Sequence, residues 1–465
     1  MIYYPSNLYR GAVNVPGAAR GLVDSPPDDV PFAFWASCTK SGKAEFSASG
    51  NHDLITQVVQ EGAIYFDADG VPQQAQANQL RIGRPLPIWP HFNGAVIEPT
   101  RTNLVAPTTP MSGLTWSGTG TTLNVYPGTA WLRNLQVGRM VVEGATTGVH
   151  NRSRAIGTLE SGKRYTFWVV VSSIRSGDQQ RHLKLKTAEG GAFSPRVDVF
   201  FNLVTGATSA NSGVGTQRNM WDLGGGLWLC LFTAVASSST SDAIEIYSVL
   251  GNGEDDESFA GDPQAGLVVH HVQVEQGDGP TSPIINGSIT GTPLRSRNAD
   301  QIAWSGDDFG GDAFTLFFRM AATWPVPAGL AEEQTILDTL DGSIQEGIRV
   351  YNSVSDVIVD VYHSGSPQND NQFGVTTKVT EQWALGFRCA KNDMYSISRL
   401  MSDGQDYTYP LWLSGDPPIS HDKLAIGQST GNAPFSIADI VVYQGALDDT
   451  QMDAVLDWLE SRKDL

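Results

Sequence analysis

Cysteine is scarce in this sequence, with three residues in a chain of 465. Cys38, Cys230 and Cys389 lie far apart and form no CxxC pair, which excludes the common zinc-binding and redox motifs. Cys230 and Cys389 fall inside apolar, strand-like runs, where cysteine behaves as a small hydrophobic residue. We therefore expect three buried thiols rather than disulfides or metal ligands.

Positive charge is sparse too, since 30 Lys and Arg stand against 49 Asp and Glu and give a formal net charge of -19. Such a surface repels phosphate backbones and anionic membranes, so we expect no nucleic-acid partner. No apolar run approaches the roughly 18 residues of a transmembrane helix. The opening MIYYPSNLYRGAV lacks the basic-then-apolar order of a signal peptide, so we expect neither membrane insertion nor export by that route.

Catalytic signatures are missing as well. The sequence has no GxSxG, HExxH, Walker or Rossmann motif, and Gly224-Gly225-Gly226 lies between apolar runs rather than in a phosphate loop. Adjacent acids occur at Asp255-Asp256, Asp307-Asp308 and Asp448-Asp449. Acids in turns are usually solvated, whereas a glycosidase needs two carboxyl groups across a cleft. The sequence predicts a protein that is not an enzyme and uses no catalytic cofactor.

Glycine and proline are abundant, at 49 and 25 residues, while only 17% of the residues are charged. This composition is typical of short strands separated by turns. The length exceeds what one hydrophobic core usually organises. We therefore predict an all-β chain of several domains.

Two sets of strand-like runs follow one another, one in residues 105–280 and one in residues 301–465, with a turn-rich linker at 281–300. Regular short strands without a helical period predict a two-sheet sandwich in each set. One helix, Asp448 to Arg462, closes the chain and places four apolar residues on one face. Those residues are Met452, Val455, Leu456 and Leu459.

Residues 1–104 have too little periodic hydrophobicity for a core of their own. Within them, Ala63–Val71 predicts a hairpin around an Asp-Ala-Asp-Gly turn. Pro85, Pro87 and Pro90 then predict a stiff, extended connector. We interpret residues 1–104 as an N-terminal anchor that orders on a partner, with a flexible tail as the alternative for its first fifty or so residues.

Three phrases, in this order, resemble modular phage tail-fibre and virion proteins that join an N-terminal anchor to carbohydrate-binding-type jelly rolls. They are YFDADGV at 65–71 with ANQLR at 77–81, GAVIEPTRTNL at 94–104, and VQVE at 272–275 with PTSPII at 280–285 and RNAD at 297–300. The second phrase is the most specific, although the connector before it is richer in proline than the family's pattern. The segment from Gly427 to Asp449 resembles the last strand and helix of concanavalin-like or laminin-G-like modules.

The resemblance implies two consecutive sandwiches after an extended N-terminal anchor: a jelly roll at 105–280 and a concanavalin-like module at 301–465. It also implies a tail- or head-fibre or tip component of a virion, assembled in the host cytoplasm. The N-terminal region would bind other virion proteins, and the sandwiches would attach to host-surface polysaccharide. A homo-oligomer such as a trimer would raise the avidity of weak sites.

Sugar binding by a β-sandwich depends on aromatic planes that stack on pyranose rings, with polar groups nearby to fix the hydroxyls. Trp168 lies in a strongly apolar run and is expected in the core. The candidate ligand-binding residues are Trp116, Trp131, Trp221 with its neighbour Asp222, and Trp228 in the first sandwich, and Trp324 and Trp412 in the second.

Acidic turns supply the candidate metal ligands. A structural calcium at Asp307, Asp308 and Asp312 would suit their oxygen-rich, glycine-bounded turn, as it would the turn 254–257, and solvated turn residues are the alternative reading of both. His270-His271 lies in a strand-like run, where alternation would send the two rings to opposite faces. That arrangement argues against a shared zinc site.

Two other functions fit the same modules. A capsid- or tail-decorating protein would use lectin-like folds for packing only and would bury its tryptophans at protein interfaces. A glycan depolymerase would place two acids opposite each other in a tryptophan-lined cleft.

Overall fold

A computed structural model gives the structure of part of the chain. The described residues are 32–37, 44–47, 55–58, 63–67, 69–76, 81–88, 94–98, 100–105, 116–129, 131–175, 180–212, 216–251, 254–277, 279–285, 296–297, 300–304, 313–322, 334–338, 346–352, 357–363, 366–373, 382–390, 393–400, 405–411, 424–426 and 435–462.

These residues form β-sheets and one C-terminal α-helix, which confirms the all-β prediction. Eight strands precede the first sandwich: β1 (Phe32–Ser37), β2 (Ala44–Ser47), β3 (Ile55–Val58), β4 (Ile64–Phe66), β5 (Pro72–Gln74), β6 (Ile82–Gly83), β7 (Gly94–Ile97) and β8 (Arg101–Thr102).

The first sandwich takes the next fourteen strands. They are β9 (Ser117–Thr119), β10 (Thr121–Val125), β11 (Arg139–Glu143), β12 (Thr147–Val149), β13 (Asn151–Thr158), β14 (Arg164–Ile174), β15 (His182–Thr187), β16 (Asp198–Phe201), β17 (Thr208–Ser212), β18 (Gln217–Gly224), β19 (Leu227–Val235), β20 (Ser241–Val249), β21 (Ser258–Ala260) and β22 (Gly266–Gln276).

The remaining elements follow the first sandwich. They are β23 (Ser296–Arg297), β24 (Gln301–Trp304), β25 (Ala313–Ala322), β26 (Gln334–Asp338), β27 (Glu346–Asn352), β28 (Val357–His363), β29 (Ser366–Phe373), β30 (Gln382–Ala390), β31 (Asp393–Leu400), β32 (Gln405–Leu411), β33 (Leu424–Ile426), β34 (Phe435–Gln444) and α1 (Asp449–Ser461).

Two six-stranded antiparallel sheets make the first sandwich. We call the sheet with strand order β10-β11-β22-β14-β19-β18 the tryptophan sheet, and the sheet with order β17-β16-β15-β20-β13-β9 the lysine sheet. Alternate residues of both sheets meet in one buried core, as the two-residue period of a strand requires. Its members include Phe167, Val169, Cys230, Phe232 and Val269 from the tryptophan sheet, and Leu183, Leu185, Val199, Ile244 and Ile246 from the lysine sheet.

A nine-stranded and a seven-stranded sheet make up the other β unit. The nine-stranded sheet runs β2-β1-β34-β25-β30-β31-β32, with β7 also paired to β34 and β6 to β7, and the seven-stranded sheet runs β29-β28-β27-β26-β33-β24-β3. Helix α1 packs on the nine-stranded sheet, where Phe317, Ala384 and Val441 meet the four apolar residues predicted for the helix face. A capping box between Asp448 and Gln451 fixes where the helix begins.

Strand pairing crosses the predicted boundary at residue 104. Strands β1 and β7 pair with β34, and β3 pairs with β24, so residues 32–97 supply strands to the sheets of the last β unit. The first sandwich is thus inserted between strands of the other unit. In the part of the chain that the structure describes, the single helix is not long and apolar enough to cross a membrane.

The predicted hairpin is present as the antiparallel pair β4 and β5. Oδ1 of Asp67 accepts the backbone N–H groups of Asp69 and Val71, at 3.1 and 2.8 Å, and so organises the turn. The extended connector predicted after it is wrong, because β6 and β7 pair antiparallel and the chain reverses between them. On its other side β6 lies close to β4, and Gly83 permits this contact because a Cβ there would collide with the carbonyl oxygen of Phe66.

A buried network of ion pairs and hydrogen bonds joins the segments on either side of the inserted sandwich. We call Arg81, Glu98, Ser282, Arg297 and Asp300 the clasp. The Glu98 carboxylate lies 2.7 Å from Arg81 and 3.2 Å from Arg297, and it accepts both the backbone N–H and the hydroxyl of Ser282 at 2.5 Å. Arg81 also pairs with Asp300. Each clasp residue belongs to a phrase that carries the family resemblance, so these phrases have a structural role.

Candidate functional site

The outer face of the tryptophan sheet carries a second apolar cluster. Side chains alternate along β14, so Phe167 and Val169 point into the core and Trp168 points to this outer face. Leu229 and Leu231 pack beside Trp168 there. Phe66 from the β4–β5 hairpin packs on the same cluster and covers part of the sheet. Trp168 is therefore buried, as predicted, but outside the core between the two sheets.

Trp131 lies on this outer face and is half-buried. Its ring stacks on Phe66, with centroids 5.2 Å apart, and meets Trp168 edge-on at 6.4 Å. Its backbone N–H donates to Nδ1 of His270, at 3.3 Å. Two aromatic rings and a backbone hydrogen bond thus hold Trp131 in place, while part of the indole stays exposed.

Trp221 occupies the edge strand of the same sheet. In β18 it pairs with Leu229 of β19, and it packs half-buried against the same apolar cluster as Trp131. Its neighbour Met220 points to the core. The exposed Asp222 accepts the Gly224 N–H, at 2.8 Å, at the start of the hairpin turn that the three glycines form. Trp221 is therefore presented from a regular strand rather than from a loose loop.

We call Trp131 and Trp221, with the apolar side chains around them, the tryptophan platform. All its members are half-buried and pack on the cluster centred on Trp168. The other half-buried side chains that pack on this cluster are Ile88, Leu135, Leu223 and Leu227.

Two other predicted tryptophans point the opposite way. Trp116 is 3% exposed and lies in the core between the sheets, so it presents no face to a sugar. Trp228 is half-buried against that same core. The remaining predicted site residues, Trp324, Trp412, Asp307, Asp308 and Asp312, lie outside the described residues.

The two adjacent histidines do not obey the alternation predicted for them. The register shifts where Val170 pairs with His271 and Val171 with Val269, which leaves His270 as the extra residue of a β-bulge. Val269 and Val272 both point into the core, so His270 and His271 both point outward. The prediction that their rings lie on opposite faces is therefore wrong.

Both histidines lie beside Trp131 in a buried polar setting. His271 is hydrogen-bonded to Gln136 at 2.9 Å and to Gln273 at 3.2 Å, and its ring lies 6.1 Å from that of Trp131. Burial lowers the pKa of His270 and of His271 to about 4. Both imidazoles are thus neutral at neutral pH.

A serine–histidine contact lies in the same region. Oγ of Ser172 is 3.3 Å from Nε2 of His270. Because Nδ1 of His270 accepts the Trp131 N–H, the proton of the neutral ring resides on Nε2. The serine oxygen is then the acceptor, and this tautomer does not activate it as a nucleophile.

Arg133 is a site residue that the sequence pattern did not reveal. It is exposed, two residues from Trp131, and begins a short 3₁₀ turn, Arg133–Leu135. Its φ of 51° lies in the left-handed region, which a non-glycine residue adopts at a cost. Arg133 is thus an exposed cation that lies close in sequence to the half-buried Trp131.

Arg133→Gly is expected to raise the free energy of unfolding by up to about 1 kcal/mol, because glycine adopts this φ without strain. Chemical denaturation of the wild type and the variant measures the difference. If the free energy of unfolding of Arg133→Gly were instead more than 1 kcal/mol below that of the wild type, contacts of the arginine side chain would outweigh the strain.

No group of three or more His, Cys, Asp or Glu side chains is placed to hold a metal ion within the described ranges. The acidic turn Glu254–Glu257 is a 3₁₀ turn in which Glu257 contacts two lysines instead. Cys230 is a buried free thiol whose pKa burial raises, as expected, whereas the side chains of Cys38 and Cys389 lie outside the described residues.

No protein-family model and no curated protein matches the chain. Among solved structures it is similar to the receptor binding domain of botulinum neurotoxin mosaic serotype C/D, at 10% identity and a TM-score of 0.28. That match covers 34% of this chain and 39% of the neurotoxin domain. A carbohydrate esterase from the Shiga toxin-encoding bacteriophage phi24B is similar at 18% identity and a TM-score of 0.23, over 32% of this chain and 76% of the esterase.

An α-L-arabinofuranosidase is similar at 9% identity and a TM-score of 0.25, over 67% of this chain and 63% of that chain. Two of these three proteins are enzymes, which contradicts the prediction that a chain of this kind is not one. The prediction is therefore wrong in excluding an enzyme. Whether the protein has an enzymatic activity is unresolved.

Proposed function

We propose that this protein binds glycans through the tryptophan platform. The observation that carries the proposal is the shared placement of Trp131 and Trp221, which pack half-buried on one apolar cluster. Indole faces fixed in this way can stack on the apolar faces of sugar rings without losing side-chain freedom on binding.

Polar groups beside the indoles support the same proposal. Asn219 lies two residues before Trp221 on β18 and therefore faces the same side of the sheet. Asn219 and Arg133 are exposed, whereas the exposed Asp222 shares the opposite face of β18 with Met220. The amide of Asn219 and the guanidinium of Arg133 supply donors and acceptors that sugar hydroxyls need.

In this proposal the protein is a virion fibre or tip component of a tail or head, assembled in the host cytoplasm. Its N-terminal region binds other virion proteins, and its sandwiches reach host-surface polysaccharide as part of a homo-oligomer. The support is the family resemblance of the phrases at 65–104 and 272–300, which the clasp joins in space.

A second candidate function is decoration of a capsid or tail through protein packing alone. The apolar side chains around the platform favour it, since Ile88, Leu135, Leu223 and Leu227 are each half-buried. A protein partner would cover these side chains together with both indoles.

Trp131→Ala and Trp221→Ala are each expected to weaken glycan binding about ten-fold or more, because each removes a stacking surface and apolar contact. A panel of bacterial surface polysaccharides, immobilised and probed with wild-type protein, identifies the ligand for this comparison. Val204→Ala is the matched control, since Val204 is an exposed apolar residue, at 55%, that does not belong to the apolar cluster of the platform.

Unchanged binding by both tryptophan variants, with thermal unfolding like that of the wild type, would contradict the platform as the glycan site. Failure of the wild type to bind any polysaccharide, together with binding to isolated virion proteins that Trp221→Ala abolishes, would support decoration instead.

A further inference from the structure

Two lysines project from the outer face of the lysine sheet, opposite the tryptophan platform. In β15, Leu183 and Leu185 point into the core, so Lys184 and Lys186 point outward by alternation. Both lysines are nevertheless almost fully buried, at 1% and 2% exposure. Buried ammonium groups are stable only when anions pair with them.

Two carboxylates of different origin supply that pairing. Asp198 belongs to β16 in the sheet, and its Oδ2 lies 3.2 Å from Nζ of Lys184 and 3.5 Å from Nζ of Lys186. Glu257 comes from the short 3₁₀ turn Glu254–Glu257, and its Oε1 contacts both ammonium groups, Lys184 at 2.5 Å. The glutamate is the more exposed of the two acids, at 19% for its side chain.

The lysine pair also affects Glu257 electrostatically. Burial acts to raise the pKa of Glu257, but the two lysines hold it below its usual value. Two positive and two negative charges therefore balance, and one of the negative charges resides on a turn rather than on the sheet.

Asp198 has an unused acceptor at this position. The residue is 4% exposed, and its Oδ1 is buried with no hydrogen-bond partner. Buried carboxylate oxygens nearly always accept a hydrogen bond, so this one is suited to a donor that arrives from outside. A ligand hydroxyl is such a donor.

A buried aromatic ring lies next to the charges. Nζ of Lys186 is 4.6 Å from the ring centroid of Tyr247, which packs with Phe200 and Val249 in a small apolar cluster. The Tyr247 hydroxyl donates to Oε2 of Glu245 at 2.8 Å. The ring is buried, so the groups left for a carboxylated sugar are the two cations and the open acceptor.

We propose that these residues form a second binding site, the lysine site, for a carboxylated sugar such as a uronic acid. The sugar carboxylate takes the place of the Glu257 carboxylate between Lys184 and Lys186, and a neighbouring hydroxyl donates to Oδ1 of Asp198. Charge balance is kept, because one carboxylate replaces another. Glu257 holds the site closed until the ligand arrives. The site lies on the other face of the sandwich, so it does not depend on the tryptophan platform.

Titration calorimetry with D-glucuronate tests this site, with D-glucose and acetate as probes that lack the carboxylate or the sugar. Glu257→Gln is expected to bind glucuronate about ten-fold more tightly than the wild type, because the competing carboxylate is gone. The double variant Lys186→Met/Glu257→Gln removes one charge of each sign and keeps the balance. It is expected to fold and to lose glucuronate binding.

Three results would overturn the proposal: no glucuronate binding by Glu257→Gln at millimolar concentration, binding that persists in the folded double variant, or acetate binding as tight as that of glucuronate. The first would identify the cluster as a purely structural ion network. Thermal unfolding of each variant verifies that it is folded, and Val204→Ala is expected to bind as the wild type does.

Discussion

Glu98→Gln is expected to lower the free energy of unfolding by about 3–5 kcal/mol, the usual cost of breaking a buried ion pair. Glu98 is 1% exposed, and its carboxylate serves Arg81, Arg297 and Ser282 at once. The amide keeps the size of the side chain but removes its charge. Arg81 and Arg297 would then share Asp300 as the remaining anion of the clasp.

Urea denaturation followed by tryptophan fluorescence measures this loss. Glu189→Gln is the matched control, because the Glu189 side chain is 90% exposed and its pairing with Arg196, at 3.8 Å, contributes little. A loss below 1 kcal/mol for Glu98→Gln would mean that the clasp contributes little to the stability of the fold. A loss of the same size for both variants would argue against a special role of the buried charge.

Acidification from pH 7 to 4 is expected to remove about 3 kcal/mol of stability for each of His270 and His271. Burial lowers the pKa of both imidazoles to about 4, against 6.5 when unperturbed, and each pKa unit corresponds to about 1.4 kcal/mol. A lowered pKa means that the unfolded chain binds the proton more readily than the fold does. The stabilisation is therefore complete above pH 6.5 and is lost as the pH falls towards 4.

Asp300 acts in the opposite sense over part of this range. Burial raises its pKa to about 6 in spite of the nearby Arg81, so its contribution to stability is lost as the pH rises through 6. Comparison with His271→Gln isolates the histidine effect, since the variant should lose about 3 kcal/mol less than the wild type between pH 7 and 4. Proton NMR titration gives a direct check, and a His271 pKa near 6.5 would contradict the prediction.

Strand and helix content could be predicted from the sequence because hydrophobic periodicity is a local property. The run Tyr165–Val171 lies within β14, and the helix predicted from Asp448 has its cap at that residue. Which sheet a strand joins is not local. Strand β1 pairs with β34, about 400 residues later, and neither segment alone indicates the other.

The candidate site was predictable in its residue types but not in its arrangement. Trp116 and Trp221 are both tryptophans near strands, yet one points into the core and the other outward, depending on register. The bulge at His270 reverses the expected face of one histidine by a single inserted residue. The pairing of Lys184 and Lys186 with Glu257 depends on a turn about 70 residues away in sequence.

The insertion of one β unit within the other has a consequence for how the chain is made. Strands β1, β3 and β7 leave the ribosome before the inserted sandwich, whereas their partners β24 and β34 leave after it. At about 5–20 residues per second, the roughly 200 residues between Ile97 and Gln301 take about 10–40 s to synthesise. The early strands wait that long with unpaired edges, which other chains can join, while the inserted sandwich already has all its strands. Slower translation should therefore lower the yield of the outer β unit more than that of the inner one.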